Sequence, residues 1–132
     1  MASRAEGTVE IDSWDEHPYA EFENGRKLTT TTVAQRFQGD ITGEGSATWL
    51  AAYRPDGTAD YTGYLRISGT IGAADGTVVL RMTGGYDGEV ARTAFDVVDG
   101  TGTGGMAGLT GRGVWEAGRT GEQRITLDYD VG

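Results

Sequence analysis

Few residues in this chain can do chemistry. It holds one histidine, His17, and no cysteine. A thiolate nucleophile, a disulfide framework and every cysteine-based metal site are therefore excluded, and a lone histidine cannot build a histidine-rich metal centre. His17, in Trp14-Asp-Glu-His-Pro18, is a candidate general base or pH-sensitive latch, with Asp15 or Glu44 as its partner in a hydrolysis. The plainer reading is a solvated loop histidine. Glu44 stands between Gly43 and Gly45, where a carboxylate turned toward an apolar mouth could serve as acid or base. Without a second inward carboxylate it lacks the partner that paired acid/base chemistry uses, which favours a surface glutamate. Asp128 with Asp130 and Asp56 with Asp60 are same-parity acidic pairs. No complete calcium-ligand loop surrounds either pair, so no metal and no cofactor are expected.

Asp99 to Gly113 reads Asp-Gly-Thr-Gly-Thr-Gly-Gly-Met-Ala-Gly-Leu-Thr-Gly-Arg-Gly. Gly100 to Gly105 formally matches the G-x-G-x-x-G dinucleotide pattern, but no helix with an apolar stripe follows it. A tight structural crossover between two strands fits that context better. Trp14, Trp49, Tyr53, Tyr61, Tyr86, Phe95, Trp115 and Tyr129 supply much aromatic surface. They can line an apolar cavity that offers hydroxyl and indole donors. Equally, they can form a plain core with a subunit interface.

The elements that must position these groups follow from composition and alternation. One domain, residues 1–132, accounts for the length. Glycine occurs 23 times and proline twice, a balance that signals many tight turns rather than disorder. The net charge is −9, with basic residues scattered singly, which repels phosphate backbones and anionic lipid, so neither nucleic acid nor membrane is expected as a partner. The N-terminus lacks an apolar signal region and no run is long enough for a membrane helix, so a cytoplasmic location is expected. Lysine is nearly absent beside ten arginines, a bias that points to a GC-rich bacterial genome.

Alternating apolar residues predict a strand over 5–12, ending in a loop over 13–25 because Pro18 and the broken alternation argue against regular structure there. Further strands are predicted over 27–38, 42–54, 59–69, 77–84, 89–98, 112–116 and the C-terminal segment of Ile125, Leu127, Tyr129 and Val131. Turns are expected at Asn24-Gly25, Gly39-Asp40, Pro55-Asp56-Gly57, Asp75-Gly76, Asp87-Gly88 and Gly118 to Gly121. Gly43 and Gly45 suggest a bulge. Eight short strands joined mostly by hairpins argue an all-β, eight-stranded antiparallel barrel, since closure removes exposed edges; a sandwich is the alternative. A barrel of this size is either just filled by side chains or holds one small ligand.

At Gly102-Thr-Gly-Gly-Met-Ala-Gly-Leu-Thr-Gly-Arg-Gly113 the sequence resembles the bacterial family called domain of unknown function 3224. Ala5-Glu-Gly-Thr-Val-Glu-Ile-Asp-Ser-Trp-Asp-Glu16, Gly43-Glu-Gly45, Tyr53-Arg-Pro-Asp-Gly-Thr58 and Thr126-Leu-Asp-Tyr-Asp130 carry the same likeness over almost the whole chain. It also looks like a relative of the allene oxide cyclases and dirigent proteins, which implies an allene oxide cyclase-like barrel with an apolar cavity, often in an oligomer. In that resemblance many family members carry a glutamate and a histidine where this chain has Leu65 and Met82, which implies a greasier interior here.

These readings lead to an expected function. The barrel would enclose a lipophilic small molecule, as a carrier or as a cyclase/isomerase that templates a reactive conformation. The ligand contacts would come from Trp49, Tyr53, Tyr61, Leu65, Met82, Phe95, Trp115 and Tyr129, with His17 and Glu44 as weak catalytic candidates. The alternative is a non-catalytic interaction module forming a homodimer through outer aromatics. Met106 and Leu109 would plug one barrel end.

Overall fold

The computed structural model describes residues 3–118 and 123–132. Eight strands, β1 (Ser3–Glu21), β2 (Lys27–Gly39), β3 (Ile41–Tyr53), β4 (Ala59–Ile71), β5 (Ala74–Tyr86), β6 (Ala91–Val97), β7 (Thr110–Ala117) and β8 (Gln123–Asp130), form a closed antiparallel barrel in sequence order. Closure comes from β1 on β8, where Ser3 to Thr8 face Tyr129 to Arg124 in register. Most interior positions are apolar or small, as the alternation predicts, with Gln35 a buried exception. The outer wall carries charge in pairs such as Arg4–Asp128 at 2.8 Å and Arg36–Asp12 at 2.8 Å. This is the reverse of the apolar-out, polar-in alternation of a membrane-spanning barrel. Among the described residues, no helix is long and apolar enough to cross a membrane.

The loop expected over 13–25 is corrected. β1 continues to Glu21 through two irregularities in its pairing with β2, between Ile11 and Ser13 and between Pro18 and Ala20. Bulges absorb what the sequence shows as broken alternation and as a proline. The first has a consequence for the interior, because Asp12 is the extra residue. Val9 and Ile11 face Phe37 and Gln35, and beyond the bulge Trp14 and Glu16 face Val33 and Thr31. The interior parity has shifted from odd to even positions. Only a short 3₁₀ turn, Glu23–Gly25, separates β1 from β2, with Asn24 in the left-handed region at φ 63°.

Two other expectations change. The turn between β4 and β5 lies at Gly72 and Ala73, bracketed by the pair Ile71 and Ala74, while Asp75 and Gly76 continue the ladder opposite Thr70 and Gly69. Gly72 supplies the positive φ, 59°, that the tight turn needs. No bulge occurs at Gly43 or Gly45, since β2 and β3 pair without a break from Lys27–Tyr53 to Phe37–Gly43. Gly45 instead leaves room for the Phe37 ring, which a β-carbon there would meet at 2.6 Å. The turn expected at Gly118 to Gly121 falls largely outside the described residues.

The core is continuous from mid-barrel to one end. Ile41, Leu65, Ile67, Ile71, Val78, Leu80, Met82, Ile125 and Leu127 are fully buried. The connection from β6 to β7 folds under that end as a 3₁₀ turn, Gly104–Met106, and tucks Met106 and Leu109 into it. That end is closed.

Candidate functional site

The β1–β2, β3–β4 and β5–β6 connections lie at the other end, where β7 ends and β8 begins and where many inward-facing residues are alanine or aromatic. Ala51, Ala59, Ala91 and Ala117 are too short to meet across the barrel, so the aromatic rings among them leave a cavity of about 270 Å³. Its wall includes Trp14, Trp49, Tyr53, Tyr61, Tyr86, Thr93, Trp115 and Gln123. Trp49 sits at the centre of the aromatic cluster. Its ring centroid lies 5.2 Å from that of Trp14 and 6.1 Å from that of Trp115, both edge-to-face, and 5.7 Å from that of Tyr61. Such geometry sets the positive edge of one ring against the negative face of another and holds the cluster in place.

A few polar groups are fixed within this apolar wall. The Tyr53 hydroxyl donates to Glu16 Oε2 at 2.6 Å, and Thr29 Oγ1 donates to the same oxygen at 2.8 Å. Tyr61 Oη and Thr93 Oγ1 are hydrogen-bonded at 2.7 Å, and Trp115 Nε1 donates to Gln123 Oε1 at 3.0 Å. Lys27 Nζ lies 4.8 Å from the centroid of the Tyr53 ring. Burial, followed by the Glu16 hydrogen bond, raises the Tyr53 pKa above the usual phenol range. Burial also raises that of Tyr61, against an opposing effect of the Thr93 hydrogen bond. Both phenols therefore stay protonated at neutral pH and act as hydrogen-bonding groups rather than bases.

The structure distributes the residues singled out in the sequence over three places. Trp49, Tyr53, Tyr61 and Trp115 line the cavity. Leu65, Met82 and Phe95 are buried in the packed barrel and Tyr129 lies at the closed end, its hydroxyl against Gly72. His17 and Glu44 are exposed on the outer wall. The His17 Nε2 lies 2.8 Å from Asp15 Oδ1 on that outer face, and Glu44 sits in register between Arg36 and Ser68. Glu16 was not singled out as a site residue from the sequence. Its inward placement depends on the bulge at Asp12, and a bulge shows in a lone sequence only as failed alternation.

The glycine-rich stretch is structural. The Thr103, Met106, Ala107 and Leu109 amides all donate to backbone carbonyls, so they do not form an open phosphate cradle. Among the described residues no group of three or more histidine, aspartate or glutamate side chains is placed to hold a metal ion. Asp128 is engaged by Arg4, which holds its carboxyl below the usual carboxylate range.

Comparison with known proteins agrees with this architecture. A crystal structure of a protein of unknown function from Shewanella oneidensis MR-1, from the DUF3224 family, is similar to this chain with a TM-score of 0.83 and 21% identity, covering 98% of this chain and 97% of that one. Comparison with curated proteins gives no match. The family model described as Protein of unknown function (DUF3224) matches residues 5–129, so the chain belongs to that family.

Proposed function

We propose that this barrel binds an apolar small molecule in its open end, as a carrier or as a template that holds a reactive molecule in one conformation. The observation that carries the reading is the asymmetry of the interior. One end is packed solid around Met106 and Leu109, while the other keeps a cavity of about 270 Å³ walled by tryptophan, tyrosine and alanine. An apolar, concave, preformed space with a few fixed polar groups is the usual form of a small-molecule site. Both phenols are held protonated, which supports binding and orientation over proton abstraction.

Ligand-observed NMR with neutral alkylbenzenes tests this directly. Saturation transfer from the protein to tert-butylbenzene is expected, and Ala51→Leu, which fills the cavity from its wall, is expected to weaken binding by roughly tenfold or more. No transfer to any apolar probe, or binding indifferent to Ala51→Leu, overturns the reading. A second reading, a homodimer module, is favoured by Leu50 and Tyr64, which stand about half exposed on the outer wall among threonines.

A further inference from the structure

The chemistry of the cavity wall narrows the class of ligand. Three tryptophans and three tyrosines present π surface to a space that, among the described residues, no cationic side chain lines. Ring faces carry the negative part of the aromatic quadrupole, so an apolar cavity built from them favours a positive charge over a neutral group of the same shape. The rim shows that preference within the molecule, because the ammonium of Lys27 rests over the Tyr53 ring at 4.8 Å. Glu16 lies on the interior parity and touches the cavity wall through Tyr53. Both hydrogen bonds that it accepts from described residues fall on Oε2, so among those residues Oε1 has no hydrogen-bonded partner. The hairpins around the mouth add Asp56 and Asp87, whose carboxyls are held below the usual range by hydrogen bonds from Thr58 and from the Val90 and Glu89 amides.

From this arrangement we infer that the cavity takes an organic cation, an amine or quaternary ammonium carried on an apolar body, with the charge among the Trp and Tyr rings and Glu16 as its counter-ion. The inference rests on the open end being a ligand site. Charge complementarity also works at long range, since a chain of net charge −9 draws cations toward its surface. An anionic amphiphile would meet Lys27 at the rim but would have to pass the carboxylates of the mouth. Lys27 is then a competitor for the Tyr53 face rather than a ligand partner.

Three probes of nearly equal shape separate the outcomes: trimethylphenylammonium, its uncharged carbon isostere tert-butylbenzene, and the anion 4-tert-butylbenzoate. Affinities by ligand-observed NMR are expected to favour the ammonium over the isostere by about tenfold or more, the range of a cation–π contact shielded from water. Glu16→Gln, which can still accept hydrogen bonds from Tyr53 and Thr29, is expected to remove most of that preference while leaving tert-butylbenzene binding unchanged. Lys27→Met is expected to strengthen ammonium binding. Equal binding of the ammonium and the isostere overturns this inference and leaves the apolar cavity standing. Tightest binding of the benzoate also overturns it, by making Lys27 the partner. Failure of all three probes overturns both readings together.

Discussion

Tyr53 and Gln35 show how differently polar atoms can be treated inside one barrel. Tyr53 buries a hydroxyl and satisfies it on Glu16. Gln35 is 1% exposed on the interior face of β2, and neither its amide nitrogen nor its amide oxygen has a hydrogen-bond partner among the described residues. A buried amide without partners costs about 1–3 kcal/mol relative to an apolar group of the same shape. Gln35→Met keeps the length and removes the polar atoms. It is expected to stabilise the fold by about 1–3 kcal/mol, read as a higher urea midpoint with unchanged slope. A lower midpoint would mean that the amide is satisfied, for instance by an enclosed water. Residue type alone hides this position. Gln35 falls in the threonine-rich run leading to Phe37, where the sequence predicts a strand but does not say which face an uncharged polar residue takes.

At the scale of elements, β1 and the β6–β7 connection carry the most information, and they differ in how far the sequence reveals them. The connection is legible, because Met106 and Leu109 are isolated large apolar residues in a glycine-rich stretch and have only the barrel end to bury against. Truncating the buried Met106 by Met106→Ala is expected to cost about 2–5 kcal/mol, in the range for deleting a core side chain. The chemical-denaturation midpoint should fall accordingly while probe binding at the opposite end persists. Unchanged stability would make the plug ornamental. β1 is only half legible. Its first half alternates cleanly through Val9 and Ile11, but Asp12 shifts the parity and Pro18 imitates a strand end. Bulges are set by pairing with a neighbour, here β2, and pairing is not written in a single strand. The same limit kept Glu16 out of the sequence reading and let Glu44, beside conspicuous glycines, draw attention to the outer wall.

For the molecule as a whole, eight alternating segments at short spacing sufficed to predict the closed barrel, because each hairpin pairs sequence neighbours and closure leaves no edge. The long-range step is β1 on β8, with Arg4 bonded to Asp128 across it. Met106 and Leu109 mark the closed end in the sequence, but which side chains wall the open end was not legible, since that depends on how side chains from eight strands meet in space. Assembly is read from the outer wall. If Leu50 and Tyr64 form a subunit contact, size-exclusion chromatography over a wide concentration range should show a dimer that Tyr64→Glu dissociates. A monomer at every concentration would remove the interaction-module reading.

The closed lower end makes the barrel a well rather than a tube. Whatever enters must leave by the way it came, so capture and release share one path past Trp14 and the mouth hairpins. A molecule longer than the well keeps its remainder in water, and passage through the barrel from one face to the other is ruled out while Met106 stays in place. Dwell time is then set at the rim: a substitution there should alter entry and exit rates together, whereas a change to the packed floor should alter only how deeply a ligand sits.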